Sequence, residues 1–196
     1  MYYPISEVFY SIIGEGFWTG QAAFFIRLAG CNLACKFCDT DYQEKFQMTS
    51  EELLRIALEH PARKVVVTGG EPCVHKLGNL VKTFRYKGFI INLETNGTII
   101  PDTLDFDWVA VSPKSKDVPD FMLTYANEIK FLCGFEGWVD LIKDLLPKCR
   151  NKDKWLMPIA NGPELLKVNV DRAVEYCLEN PKIRFCCQVH KVINVR

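Results

Sequence analysis

Apolar and polar positions along this chain switch repeatedly between the period of a strand and that of a helix. Residues 21–29 (QAAFFIRLA) are aromatic and apolar enough to predict a strand running straight into Gly30. Ser50-Glu-Glu followed by Leu53, Leu54, Ala57 and Leu58 predicts a helix with Ser50 as its cap and two acids in its first turn. Lys64-Val-Val-Val-Thr68 reads as a buried strand ending in Gly69-Gly70, and Leu77, Leu80, Val81 and Phe84 follow at helical spacing. Residues 89–94 and 108–112 predict further strands, closed by Thr95-Asn96-Gly97 and by Pro113. The apolar runs 128–132 and 155–159 flank a helix over about 136–146. Pro163 then opens a helix with Leu166, Val170, Ala173, Val174 and Cys177 on one face, stopped by Asn180-Pro181, and 183–188 forms the last strand.

Strands alternating with helices predict parallel β/α units, hence a doubly wound sheet or a full or partial β/α barrel. In either architecture a site lies at the carboxyl ends of the strands. The conspicuous polar and glycine clusters fall there: the cysteines after Gly30, Gly69-Gly70-Glu71-Pro72, Glu94-Thr-Asn-Gly97 and Ser112-Pro-Lys114.

Composition narrows the function classes. The 196 residues suit one compact domain over 1–196, and 48% hydrophobic residues suffice for one core. Lys plus Arg (24) balances Asp plus Glu (24), so no field of one sign would gather nucleic acid or an anionic membrane. The expected partner is a small molecule. No basic and apolar leader opens the sequence and no window approaches about eighteen apolar residues, which predicts a cytoplasmic protein with no membrane partner.

Six of the nine cysteines (Cys73, Cys133, Cys149, Cys177, Cys186, Cys187) are scattered and are expected to be mostly small buried hydrophobes. Cys31-x3-Cys35-x2-Cys38 is different, because it follows a strand and no second pair of ligands follows it. A structural zinc site closes with four ligands, and His60 or His75 would have to supply the fourth from afar. Three thiolates suit a cubane that leaves one iron open.

This spacing, with Phe37 before the last cysteine and Gly69-Gly70-Glu71-Pro72 about thirty residues on, resembles the radical S-adenosylmethionine (SAM) superfamily. The resemblance implies a partial (β/α)6-type barrel, a 4Fe-4S cluster on Cys31, Cys35 and Cys38, and SAM on the open iron, cleaved to a 5′-deoxyadenosyl radical. The glycines would let backbone carbonyls approach the methionine ammonium of SAM while the Glu71 carboxylate orients it.

Further segments resemble the 7-carboxy-7-deazaguanine synthase family from end to end. They are Tyr10-Ser-Ile-Ile-Gly-Glu-Gly16 with Gly20, Arg27, Cys38-Asp39-Thr40, Thr68, Glu94-Thr-Asn-Gly97, Ser112-Pro-Lys114 and Gln188-Val-His190-Lys191. The resemblance implies ring contraction of 6-carboxy-5,6,7,8-tetrahydropterin to 7-carboxy-7-deazaguanine with loss of ammonia, in a queuosine-type pathway. It implies SAM contacts from Phe37, Cys38, Asp39, Gly70, Ser112, Pro113, Lys114, Met157, Pro158, Ile159 and Ala160. Substrate contacts would come from Ile12, Ile13, Gly14, Arg27, Thr68, His190 and the terminal carboxylate of Arg196. It also implies Mg2+ on the Thr40 hydroxyl, an electron donor of flavodoxin or ferredoxin type, and a homodimer. Arg27 alternates with Phe24, Ile26 and Leu28 on an otherwise apolar strand, and its guanidinium could fork onto a substrate carboxylate or pair with a surface acid.

Two positions depart from the family pattern: Ile13 replaces a glutamine, and Met157-Pro158 stands where Gln-Pro is common. Backbone contacts would survive there and side-chain hydrogen bonds would not. Two other readings fit the cysteine loop: an activase of glycyl-radical enzymes, and a zinc-dependent binding module.

Overall fold

The computed structural model describes residues 1–150, 153–161, 164–165 and 167–195. Its elements in chain order are β1 (Tyr2–Ile12), β2 (Ala22–Leu28), β3 (Phe46–Thr49), α1 (Ser50–Leu58), β4 (Lys64–Gly69), α2 (Gly78–Tyr86), β5 (Ile90–Thr95) and β6 (Trp108–Val111). There follow α3 (Asp120–Tyr125), β7 (Glu128–Cys133), α4 (Trp138–Leu145), β8 (Asp153–Pro158), β9 (Ala160–Asn161), β10 (Glu164–Leu165), α5 (Lys167–Glu179), β11 (Arg184–Phe185) and α6 (Val189–Val192). Nine strands form one sheet in the order β11-β8-β7-β6-β5-β4-β2-β1-β3, while β9 and β10 pair separately. From β2 to β11 neighbours run parallel, and β1 and β3 are antiparallel additions at one edge.

Alternation along the strands sorts two faces. Phe24, Ile26 and Leu28 of β2, Val65 and Val67 of β4, Ile91 and Leu93 of β5, and Ile129 and Phe131 of β7 join one core beneath the helices. Their neighbours Phe25, Arg27, Val66, Thr68, Glu94, Lys130 and Leu132 line a cavity on the other face. Lys130 on β7 bonds Glu15, just beyond β1, although four strands separate β7 from β1 in the sheet. Such a contact requires the sheet to curl, so the fold is a partial β/α barrel of six parallel strands (β2, β4 to β8) extended by the short β11.

Several elements differ from the sequence expectation. Thr49, not Ser50, caps α1: its side chain accepts from the Glu52 N–H while the Glu52 carboxylate takes the Thr49 N–H, a capping box. Ser50 is instead buried, with its hydroxyl accepting from Asn79 Nδ2 at 2.7 Å. The helix expected over 136–146 is α4, which starts two residues later because Gly137, at φ +79°, stands before its first turn, and Leu146–Lys148 tightens into a 3-10 turn at its end. Pro163 and Leu166 lie outside the described residues, and Glu164–Leu165 forms β10 rather than the start of a helix. On α5 the buried residues are Asn169 and Ala173, whereas Val174 is exposed. Asn169 turns inward because Gly134 leaves room for it and its Nδ2 donates to the Ile159 carbonyl at 3.1 Å. The last strand shrinks to β11, since Gln188 turns the chain into α6.

Candidate active site

The three clustered cysteines sit on the loop between β2 and β3, at the carboxyl end of β2, and all three line a cavity of about 540 Å³. Small-molecule sites are typically of that size, about 300–1,000 Å³. The loop's first residues are held tightly. The Glu71 N–H donates to the Gly30 carbonyl at 3.0 Å, and His75 Nε2 donates to the Ala29 carbonyl at 2.7 Å. A Cβ on Gly70 would lie 2.3 Å from the Gly30 oxygen, so only glycine lets the end of β4 pass this close to the cysteine loop. Burial pushes the Cys31 and Cys35 thiols up, while Lys114 draws Cys35 down. Both thiols also feel Cys38, and Cys35 feels Cys31, which places the three within electrostatic reach of one another. Among the described residues no three Cys, His, Asp or Glu side chains stand in the geometry that holds a metal ion.

The floor of the cavity comes from the loop after β1. The Glu15 carboxylate takes a hydrogen bond from Lys130 Nζ at 3.0 Å and one from Gln188 Nε2 at 2.8 Å. Lys130 Nζ lies 2.6 Å from Glu94 Oε2 as well, so one buried ammonium joins two carboxylates. Burial opposes the Lys130 charge, but Glu94, Glu15 and Glu128 together raise its pKa well above the usual lysine range. Burial likewise opposes Glu15, yet Lys130 and Gln188 bring it down to about 2. Burial pushes Glu94 up to about 7, against Lys130 and with the like charges of Glu128 and Glu15. Gly14 and Gly16 make this arrangement possible: a Cβ on Gly14 would collide with the His190 ring, and one on Gly16, at φ +69°, with the Glu128 carboxylate. Below them Phe17 and Trp18 pack on Trp108, and Lys64 Nζ sits 3.3 Å from the centre of the Trp18 ring.

The sequence profile of the Radical SAM superfamily matches residues 25–152. The 7-carboxy-7-deazaguanine synthase of Bacteroides thetaiotaomicron is 36% identical over 193 residues, covering 98% of this chain and 98% of the relative. That of Synechocystis is 34% identical over 199 residues, covering 99% and 94%. The crystal structure of QueE from Escherichia coli superposes with a TM-score of 0.82 at 32% identity, covering 97% of this chain and 95% of that one. The chain belongs to the 7-carboxy-7-deazaguanine synthase family. It is therefore an enzyme of the radical SAM lyase class, built on that superfamily's partial (β/α)6 barrel.

Of the residues that the family resemblance assigns to SAM, substrate and metals, all but Glu71, Pro113 and Arg196 line this one cavity. Pro113 is buried behind Ser112 and Lys114, which both line it, and Arg196 lies outside the described residues. Lys114 Nζ donates to Ser112 Oγ at 2.5 Å, and burial brings its pKa down to about 8. Arg27 does find a carboxylate of the protein: its Nε lies 3.3 Å from Glu7 Oε2 on the adjacent β1, with both side chains about one-quarter exposed. Lys191 pairs with Asp39, tying α6 to the cysteine loop, and burial lowers the His190 pKa beside them.

One role expected for a motif residue is corrected. The Glu71 carboxylate does not face a ligand's ammonium. It is fully buried and accepts from the Cys73 N–H (2.9 Å), Thr95 Oγ1 (2.7 Å) and the Asn96 N–H (2.6 Å), so it braces the ends of β4 and β5. Glu15 and Lys130 at the site were not expected from the sequence, Glu94 had no role there, and Glu128, outside the cavity lining, acts on it through Lys130. A signal was present: strands of a parallel sheet are apolar on both faces, and Glu128 and Lys130 interrupt an otherwise apolar run.

Proposed function

We propose that the chain converts 6-carboxy-5,6,7,8-tetrahydropterin into 7-carboxy-7-deazaguanine with loss of ammonia, in a queuosine-type pathway. The cofactors in this reading are SAM, a 4Fe-4S cluster on Cys31, Cys35 and Cys38, and Mg2+. The observation that carries it is that three thiols on one wall and the Glu15 and Glu94 carboxylates, paired through the buried Lys130, on the floor face the same cavity. The donor set fits such a cluster, since three thiols from one loop within electrostatic reach leave a fourth corner to a small molecule. A cluster held there by Cys31, Cys35 and Cys38 would supply one-electron reduction of a bound SAM sulfonium.

The chain's own residues then divide the work. Gly70 keeps the end of β4 close enough for backbone groups to meet a ligand, and Ser112 and Lys114 present polar atoms from the next-but-one strand end. Glu15 and Glu94 are acceptors suited to the amino and ring N–H groups of a pterin, and Lys130 holds them in place. Arg27 and His190 suit a carboxylate, and the Thr40 hydroxyl would suit a hard cation. The exposed Cys38 marks the side from which a flavodoxin- or ferredoxin-type donor would reach the thiols. A zinc module fits poorly, because His75 is committed to the Ala29 carbonyl and His60 stacks on Tyr10 at 4.4 Å.

The test is anaerobic reconstitution with iron and sulfide, followed by incubation with SAM, Mg2+, a reductant and the carboxytetrahydropterin. The expected result is 7-carboxy-7-deazaguanine formed over many turnovers. Deoxyadenosine without any deazapurine would keep the radical chemistry and remove the pterin.

A further inference from the structure

The residue after the first cysteine belongs to a closed circle of side-chain hydrogen bonds. Asn96 Nδ2 donates to Asn32 Oδ1 (3.0 Å), Asn32 Nδ2 donates to Thr98 Oγ1 (2.9 Å), and Thr98 Oγ1 donates to Asn96 Oδ1 (2.7 Å). Each member donates once and accepts once around the ring, the arrangement in which hydrogen bonds polarise one another in the same sense. The ring is bolted to the fold beneath it: the Asn96 N–H reaches the buried Glu71 carboxylate, and Glu71 also takes the Thr95 hydroxyl. On the other side of Cys31, the Gly30 carbonyl is held by the Glu71 N–H at 3.0 Å. Cys31 is thus gripped through both of its neighbours, and both grips lead back to Glu71. The hydrogen bonds of Cys35 and Cys38 are local, from the Cys38 N–H to the Cys35 carbonyl (3.1 Å) and from the Cys38 thiol to the Thr40 carbonyl (3.8 Å).

We propose that Asn32 is a positioning residue for the cluster: through its ring with Asn96 and Thr98 it fixes the Cys31 thiol against the ends of β4 and β5 before any iron arrives. Cys35 and Cys38 then adjust to a corner already set. This rests on the assignment of the three cysteines as cluster ligands. Neither Asn32 nor Thr98 lines the cavity, so their effect on the chemistry passes through the placement of Cys31 relative to the Gly70 wall.

The experiment compares the parent with Asn32→Ala, Thr98→Ala and Thr98→Ser. Hydrogen exchange on the metal-free chain and electron paramagnetic resonance of the reconstituted, reduced protein are measured with and without SAM. Asn32→Ala and Thr98→Ala should each speed exchange over 30–34 about tenfold, since each removes two hydrogen bonds of the ring. They should also blunt the SAM-induced change in the resonance while the melting temperature moves little. Thr98→Ser keeps the hydroxyl and should behave as the parent, which a role in packing the threonine methyl would not produce. Parental exchange and a parental SAM response in Asn32→Ala would overturn the proposal, as would a Thr98→Ser protein no better than Thr98→Ala. A parent that takes up no iron removes the ligand assignment and this proposal with it, whereas iron uptake with unchanged exchange removes the ring alone.

Discussion

At 3.0 Å from the Lys130 ammonium and about one-fifth exposed, the Glu15 carboxylate stays ionised far below the usual pH. Its pKa is held near 2 in the folded chain, below the ordinary glutamate value of 4.5, so it contributes stability that is fully present above pH 4.5 and lost as pH falls toward 2. Glu15→Gln should therefore cost about 2 kcal/mol at pH 7 and much less near pH 3. Urea unfolding at the two pH values checks this, and an equal loss at both would assign the effect to packing. The motif residues were legible in the sequence because a short spacing carries them: Cys31, Cys35 and Cys38 lie on one loop, and Gly69 and Gly70 are adjacent. The Glu15–Lys130 contact was not, since 115 positions separate the partners and each looks like an ordinary polar residue.

The carboxyl end of β4 shows how one element places a site. Gly70 faces the Gly30 oxygen at a distance no side chain tolerates, whereas Gly88, at φ +75°, has nothing within 4 Å of its missing Cβ. Gly70→Ala should force the cysteine loop outward, costing about 1–3 kcal/mol and most of the bound iron. Gly88→Ala should cost about 1 kcal/mol from backbone strain alone and leave iron binding intact. Thermal melts and iron content of the two proteins separate close approach from conformational strain. Element boundaries were legible where one period ran unbroken, as in β2 and β4. The first strand, β1, was not, because its register shifts between Ile5 and Glu7, breaking the alternation, and Pro4 stands within it. The cap of α1 slipped by one residue for a similar reason: Thr49 and Ser50 are both good caps, and Glu52 lies at the capping-box distance only from Thr49.

Across the whole molecule, six parallel strands direct their carboxyl ends and the alternate side chains of one face toward a single cavity. The loop after β1 closes it from below. That layout follows from the strand–helix alternation, so the side of the sheet carrying the site was legible. The curl itself was expected only through the family resemblance, and the contact that sets Glu15 beneath β7 was not legible, because it depends on sheet twist and on the glycines at 14 and 16, whose missing side chains admit His190 and Glu128. The layout also sorts the nine cysteines. Cys31, Cys35 and Cys38 line the cavity, Cys73, Cys133 and Cys149 are buried, and Cys177, Cys186 and Cys187 are half-buried away from the cavity lining. Burial first, then the nearby Glu71 charge, pushes Cys73 beyond the normal thiol range, and burial with the Glu15 charge lifts Cys186 to about 12, so neither readily offers a thiolate. The most direct measurement is bound iron and sulfide after anaerobic reconstitution of the parent and of nine single Cys→Ala proteins. Loss of the cluster is expected in Cys31→Ala, Cys35→Ala and Cys38→Ala, and full loading in the other six. Full iron in Cys35→Ala, or its loss in Cys186→Ala at unchanged stability, would contradict the ligand assignment.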